Sequence, residues 1–173
     1  GGCRLAQGQT AASADTVSRS MPEQPKIVPL SEPHIPALIT LFEQSVRQRG
    51  PEHYSEAQVA QWALGAHHPG FVSQLREHHG WVLEQAGAVL GFVTLSDDGH
   101  LSLLYVSADH QRQGLGGLLL ATALSQATRL GIETLTTEAS AFSYGLFLRY
   151  GFELTGLESV ERGGVSFIRY RLH

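Results

Sequence analysis

The stretch Leu104–Leu120, LYVSADHQRQGLGGLLL, constrains this chain more than any other part of it. A strand-like apolar run, Leu104-Tyr105-Val106, gives way to a polar turn, and glycines then open a second apolar run of helical character. Glycine lets the backbone turn tightly and approach a ligand, because no Cβ intervenes. The first turn of a helix carries N–H groups with no intrahelical partner and a partial positive charge. Together these make an anion site suited to phosphate. Spacing weakens two common designs. A dinucleotide turn wants G-x-G-x-x-G, and Leu119 occupies the third glycine position after Gly114 and Gly116. A P-loop ends in G-K-[ST], and no Lys follows the glycines here.

The rest of the chain frames that junction. Its 173 residues suit one domain, and 42% hydrophobic content is enough for a real core. Lys26–Leu30 reads as a first strand, followed by a helix capped by Ser31 and ended by Gly50-Pro51. A second helix spans about Ser55–Leu64, with Ser55 as its cap. Strands Trp81–Glu84, Ala88–Leu95 and His100–Val106 follow across short turns that imply antiparallel hairpins. The helix Leu115–Leu130 stops at Gly131 and leads to a strand Ile132–Glu138, a crossover expected to be right-handed and parallel. A short helix Phe142–Tyr150 precedes a final hairpin, Phe152–Val160 with Val165–Leu172. The sum is an α/β chain with a mixed sheet of about seven strands and helices on both faces. Residues 1–25 are small, polar and aperiodic; they read as a leader outside the domain 26–173, with Met21 as the expected start.

Composition narrows the partners. A net charge of −4 gives no basic footprint for nucleic acid. No apolar run approaches the roughly 18 residues needed to span a membrane. The lone Cys3 permits neither an internal disulfide nor a cysteine zinc site, and it lies far in sequence from the glycine turn. A cytoplasmic enzyme is expected. His67-His68 and His78-His79 lack a completing carboxylate or cysteine pattern and read as loop histidines, so no metal is expected.

The segment Gln111-Arg112-Gln113-Gly114-Leu115-Gly116 resembles the Q/R-x-x-G-x-G/A signature of the GNAT N-acetyltransferase superfamily. A second likeness lies downstream, where AFSYGLFLRYGF (Ala141–Phe152) is similar to that family's short helix ending in Gly-Phe. Tyr54–Ala63 also resembles the second helix of a small bacterial branch. The likeness covers roughly Lys26–His173 and implies the GNAT fold, whose two central parallel strands part beyond a bulge. It further implies acetyl-CoA as co-substrate, a primary amine of a small molecule or peptide as acceptor, direct attack in a ternary complex, and a possible homodimer.

The resemblance also distributes roles. Backbone groups of Leu104, Tyr105 and Val106 are expected to meet the pantetheine arm, and amides of Gln111, Arg112, Gln113, Gly114, Leu115, Gly116 and Gly117 the diphosphate. Ser140 stands where the family often has Asn, and Phe147, expected beside the cofactor, stands where it usually has a general-acid Tyr. Phe cannot protonate a thiolate, which makes Tyr144, on the same helical face, the expected substitute. An amine arrives protonated and must lose a proton before attack; Glu138 is the expected base among the side chains, with His100 and His110 as further candidates and a water chain to solvent as an equal alternative. Trp62 is expected to pack the second helix and to border the acceptor pocket. The departure at Phe147 also keeps open a catalytically weak acyl-CoA-binding module of the same fold.

Overall fold

The computed structural model describes residues 24–110, 113–140, 143–162 and 165–172. Within them lie seven strands: β1 (Lys26–Pro29), β2 (His79–Gln85), β3 (Ala88–Leu95), β4 (His100–Val106), β5 (Thr136–Ala139), β6 (Leu154–Arg162) and β7 (Val165–Leu172). The α-helices are α1 (Ile35–Arg49), α2 (Glu56–Leu64), α3 (Pro69–Glu77), α4 (Leu115–Arg129) and α5 (Tyr144–Arg149). The sheet order is β1-β2-β3-β4-β5-β7-β6. Strands β1 to β4 form an antiparallel meander, β4 and β5 are parallel, and β7 pairs antiparallel with both β5 and β6. The mixed sheet, its crossover and its closing hairpin thus follow the pattern of the sequence.

Side-chain alternation divides the core between the two faces of the sheet. On one face, Leu83 and Val93 pack with Leu119, Leu120, Ala123 of α4 and Phe147 of α5. On the other, Val82 and Phe92 pack with Leu38 and Phe42 of α1, Val59 of α2 and Leu75 of α3. The helix ends obey local chemistry. Ser55 caps α2, its hydroxyl accepting the Gln58 N–H at 3.1 Å while Gln58 accepts the Ser55 N–H at 2.9 Å. After α4, Gly131 adopts φ 76° and the Ile132 N–H reaches back to the Ala127 carbonyl at 2.9 Å, a Schellman-type stop.

Several boundaries differ from the sequence expectation, among them β2, which starts at His79 rather than Trp81, and α5, which starts at Tyr144 rather than Phe142. Ser31 opens a single 3₁₀ turn, Glu32–His34, and α1 begins only at Ile35. Helix α3 was not expected: Pro69 supplies its first residue, and the His68 ring accepts the Gly70 N–H at 2.9 Å in place of the usual hydroxyl or carboxylate cap. Strand β5 starts at Thr136 rather than Ile132, because Ile132 and Leu135 pack on the α4 side of the core before the chain reaches the sheet.

Candidate active site

The two parallel strands hold together briefly and then separate. Their register covers His100↔Thr136 and Leu101↔Thr137. Beyond it β4 continues to Val106 and β5 to Ala139 without a shared ladder among the described pairs. The β3–β4 register explains where the parting begins. Thr94 faces Leu103 and Leu95 faces Leu101, so Ser102 is the extra residue of a bulge. A bulge bends its strand and raises local twist, which turns β4 away from β5. The result is a V-shaped opening with its apex at Leu101 and Thr137.

Two adjoining cavities border that opening, the larger also reaching the paired end at Ser96, Asp98 and His100. The larger, about 850 Å³, is bordered by β4 and β5 and by aromatic residues of the α1–α3 layer, among them Tyr54, Trp62 and Phe71. The smaller, about 130 Å³, extends toward Gly116 at the start of α4. Trp62, Leu104, Tyr105, Ser140 and Ser143 line both.

The α4 end is built for an anion. Gly114 precedes the helix at φ 75°, ψ 13°, a left-handed conformation that disfavours residues with a Cβ, and a Cβ there would meet nothing within 4 Å. The first turn carries no acidic residue, and no side chain caps it among the described residues. The Leu118 N–H is the first to close onto the helix, donating to the Gly114 carbonyl at 3.1 Å. The amides of Leu115, Gly116 and Gly117 therefore precede the intrahelical ladder. Gln113 lies exposed in this turn, whereas Gln111 and Arg112 fall outside the described residues. A diphosphate group fits this end: open space at Gly114, unladdered amides and an uncompensated helix dipole converge there.

The wall between the cavities is aromatic. The Tyr105 ring lies against Phe42 (centroids 4.7 Å) and Phe92 (5.8 Å), and its hydroxyl accepts the Trp62 Nε1–H at 3.3 Å. Burial pushes the Tyr105 phenol up to about 12, with the Trp62 hydrogen bond opposing and nearby Tyr54 adding to the rise. Tyr54 meets Trp62 edge-on at 5.2 Å. Ser45 of α1 donates to the Val106 carbonyl at 3.1 Å, fixing the far end of β4.

Other sequence-selected residues divide into two groups. Glu138, Ser140, Phe147 and His100 line the larger cavity, and the Ser140 and Ser143 hydroxyls stand 3.4 Å apart. His100 Nδ1 pairs with Thr136 Oγ1 at 2.9 Å. Phe147 is only 2% exposed and packs edge-on against Phe152 at 5.1 Å. Tyr144 and His110 are not among the residues lining either cavity; Tyr144 packs against the α4 side of the core and His110 meets Ser107 at 3.2 Å. Sequence reasoning set His78 aside as a loop histidine, whereas it ends α3 and lines the larger cavity, and it passed over Ser102, Ser143 and Ser45. Ser143 was detectable as the residue before α5, but the others are brought in by long-range packing.

A family model described as an acetyltransferase (GNAT) domain matches residues 51–173. The chain belongs to the GNAT acetyltransferase family. Among curated proteins it is 25% identical over 133 residues to the uncharacterized N-acetyltransferase YafP of Escherichia coli K12, covering 77% of this chain and 84% of YafP. Among solved structures it resembles a GCN5-related N-acetyltransferase from Rhodopseudomonas palustris, with TM-score 0.81, 23% identity, and 88% and 96% of the two chains covered. It also resembles the PaiA N-acetyltransferase of Thermoplasma acidophilum in complex with coenzyme A, with TM-score 0.67, 18% identity, and 85% and 98% covered. A third is YncA, a putative acetyltransferase of Salmonella typhimurium with acetyl-CoA, with TM-score 0.62, 19% identity, and 86% and 92% covered. At these identities the structural likeness is one of fold, and the parted β4 and β5 agree with the GNAT architecture expected from the sequence. No described helix of this GNAT chain is long and apolar enough to cross a membrane.

Proposed function

We propose that this GNAT protein transfers an acetyl group from acetyl-CoA to the primary amine of a small molecule or peptide, by direct attack in a ternary complex. The observation that carries the reading is the opening between β4 and β5, which runs from the bulge at Ser102 toward Gly116 and the first turn of α4. Relatives of the same fold described with coenzyme A and with acetyl-CoA support it. In this reading the amides of Leu115, Gly116 and Gly117 hold the diphosphate, and the free edge of β4 around Leu104 and Tyr105 orients the pantetheine arm. Acetyl-CoA supplies an already activated acyl group, so the chain needs no covalent intermediate. Its work is to align the amine, exclude water and remove a proton.

The cavity chemistry supports an amine with an apolar body. Tyr54, Trp62 and Tyr105 offer aromatic surface; among the described residues Asp98 and Glu138 are the Asp and Glu side chains of the larger cavity and no Lys or Arg lines it, while Arg49 lines the smaller one. A hydrogen bond from Ser96 holds the Asp98 carboxyl below its usual range, which keeps it anionic. Carboxylates and aromatic faces both favour an ammonium.

Calorimetric titration with acetyl-CoA, joined to a free-thiol assay over a panel of alkylamines, arylalkylamines, polyamines and aminoacyl amides, tests the proposal. Saturable binding with amine-dependent thiol release is the expected result. Binding without thiol release across the panel would instead favour an acyl-CoA-binding module, a reading to which the apolar Phe147 lends weight. Absence of binding would overturn both.

A further inference from the structure

Resting on the acetyl-transfer reading above, we propose that His78 is the base that deprotonates the acceptor amine, with Ser102 and Thr94 as the residues that position its ring. His78 lies between α3 and β2, its backbone N–H closing onto the Gln74 carbonyl at 3.0 Å, and its side chain lines the larger cavity. Its Nδ1 stands 3.1 Å from the Ser102 hydroxyl, which stands 2.8 Å from the Thr94 hydroxyl. Thr94 is fully buried in β3. A chain of three polar groups therefore runs from the sealed interior to the cavity, and its middle member is the bulge residue.

That placement separates His78 from its rivals. The acyl carbon must lie in the open part of the V, past Leu101 and Thr137. Ser102 is the first residue of β4 on that side, so a ring tied to Ser102 adjoins the place of reaction. His100 is tied to Thr136 on a rung where the strands are still paired. Glu138 lies on the opposite arm and is exposed. The remaining titratable groups that line the cavity are His68, which caps α3, with Tyr54, Asp98 and Tyr105. On the segment of His78 itself are Glu77 and His79, the latter paired with Asp97 at 2.7 Å.

In the proposed arrangement Ser102 donates to Thr94, the Ser102 oxygen accepts Nδ1–H, and Nε2 is the nitrogen with a lone pair to receive a proton. One proton of the bound ammonium passes to Nε2. The freed nitrogen pair forms the C–N bond, and the C–S bond breaks with its electrons leaving on sulfur. The nitrogen then loses a second proton. One proton neutralises the thiolate and the other reaches solvent, so ammonium and thioester give amide, thiol and one proton.

The test uses the full chain and the best amine of the panel. His78→Gln is expected to lower kcat/KM for the amine by about 100-fold, the scale of general-base contributions. Calorimetric acetyl-CoA affinity should stay within about twofold, which also reports an intact fold. The acid-side limb of the kcat/KM profile should flatten, and added imidazole should restore part of the rate to His78→Ala. Independently of turnover, long-range ¹H–¹⁵N NMR should show His78 as the Nδ1–H tautomer, and Ser102→Ala should mix the tautomers. A His78→Gln protein with a wild-type profile, or a limb lost in Glu138→Gln or His100→Gln instead, overturns the role of His78. A wild-type protein that releases no thiol with any amine overturns the acetyl-transfer reading and this role with it.

Discussion

Glu at position 116 should leave the fold intact while ejecting the co-substrate. Gly116 lies in the first turn of α4 and lines the smaller cavity. A Cβ there would lie 3.2 Å from Leu146 Cδ2 and 3.8 Å from Val106 Cγ2, a tight but yielding fit because Leu146 is only half-buried. Losing a helical glycine returns up to about 0.5–1 kcal/mol of propensity. A carboxylate in the first turn adds about 0.3–1 kcal/mol against the helix dipole. Stability should therefore hold or rise slightly. Binding should move the other way. A carboxylate about 5 Å from one phosphate charge is repelled by about 3 kcal/mol at an effective dielectric of about 20, and solvent exposure halves this. A penalty of about 1.5–3 kcal/mol is about a 10–150-fold loss of acetyl-CoA affinity. Gly116→Ala, which adds bulk without charge and matches the G/A position of the family signature, should bind within a few-fold of wild type. Urea unfolding and calorimetric titration on the three proteins measure both quantities. Unchanged affinity in Gly116→Glu would remove the diphosphate from this turn; equal losses in Glu and Ala variants would make the effect steric rather than electrostatic.

Three further outcomes follow from individual residues. Tyr105 titrates at about 12 in the fold against an ordinary 10, so burial favours its neutral form; the linked stability, about 2–3 kcal/mol, is fully present below about pH 10 and lost as pH rises toward 12. Tyr105→Phe should lose less stability over that interval in urea unfolding, and a parallel decline in both proteins would contradict the assignment. Gly99 sits at φ 92°, where a Cβ would collide with the Thr134 carbonyl oxygen, and its own carbonyl accepts the Thr136 N–H at 2.9 Å. Gly99→Ala should cost about 2–4 kcal/mol in urea unfolding, since strain and displacement of β5 combine; a change below about 1 kcal/mol would refute the fit. Tyr144→Phe should hold kcat within about threefold, less than about 1 kcal/mol of barrier, because Tyr144 packs on the core rather than lining the cavity. A tenfold fall in kcat with unchanged binding would restore Tyr144 as the acid.

What the sequence disclosed is what depends on near neighbours. Strand and helix periods, the Gly114 turn, the Ser55 cap and the Gly131 stop each need only a few consecutive residues, and all are borne out. Helix α3 was also local, but its cap is a histidine, a residue whose ring rarely does this work, so the pattern passed for a loop. The cleft was expected only through the family resemblance, not from any local pattern. It arises from a bulge defined by pairing between β3 and β4, and no property of Ser102 alone marks it. The same holds for the link from His78 to Ser102 to Thr94, which joins three separate segments.

That asymmetry bears on the chemistry. The position where the family usually carries an acidic hydroxyl holds Phe147, and its surroundings demand an apolar side chain: it is buried between α4 and Phe152. A thiolate is a good leaving group, so a dry, apolar surface on its side of the cavity is tolerable. An alkyl ammonium at neutral pH surrenders its proton far less readily, and attack cannot begin until it does. Polar investment belongs on the amine's side, and the buried Thr94, the bulge at Ser102 and the half-buried His78 lie there. A base anchored to the bulge moves with the strand that opens the cleft, so the feature that makes room for the substrate also fixes the group that activates it.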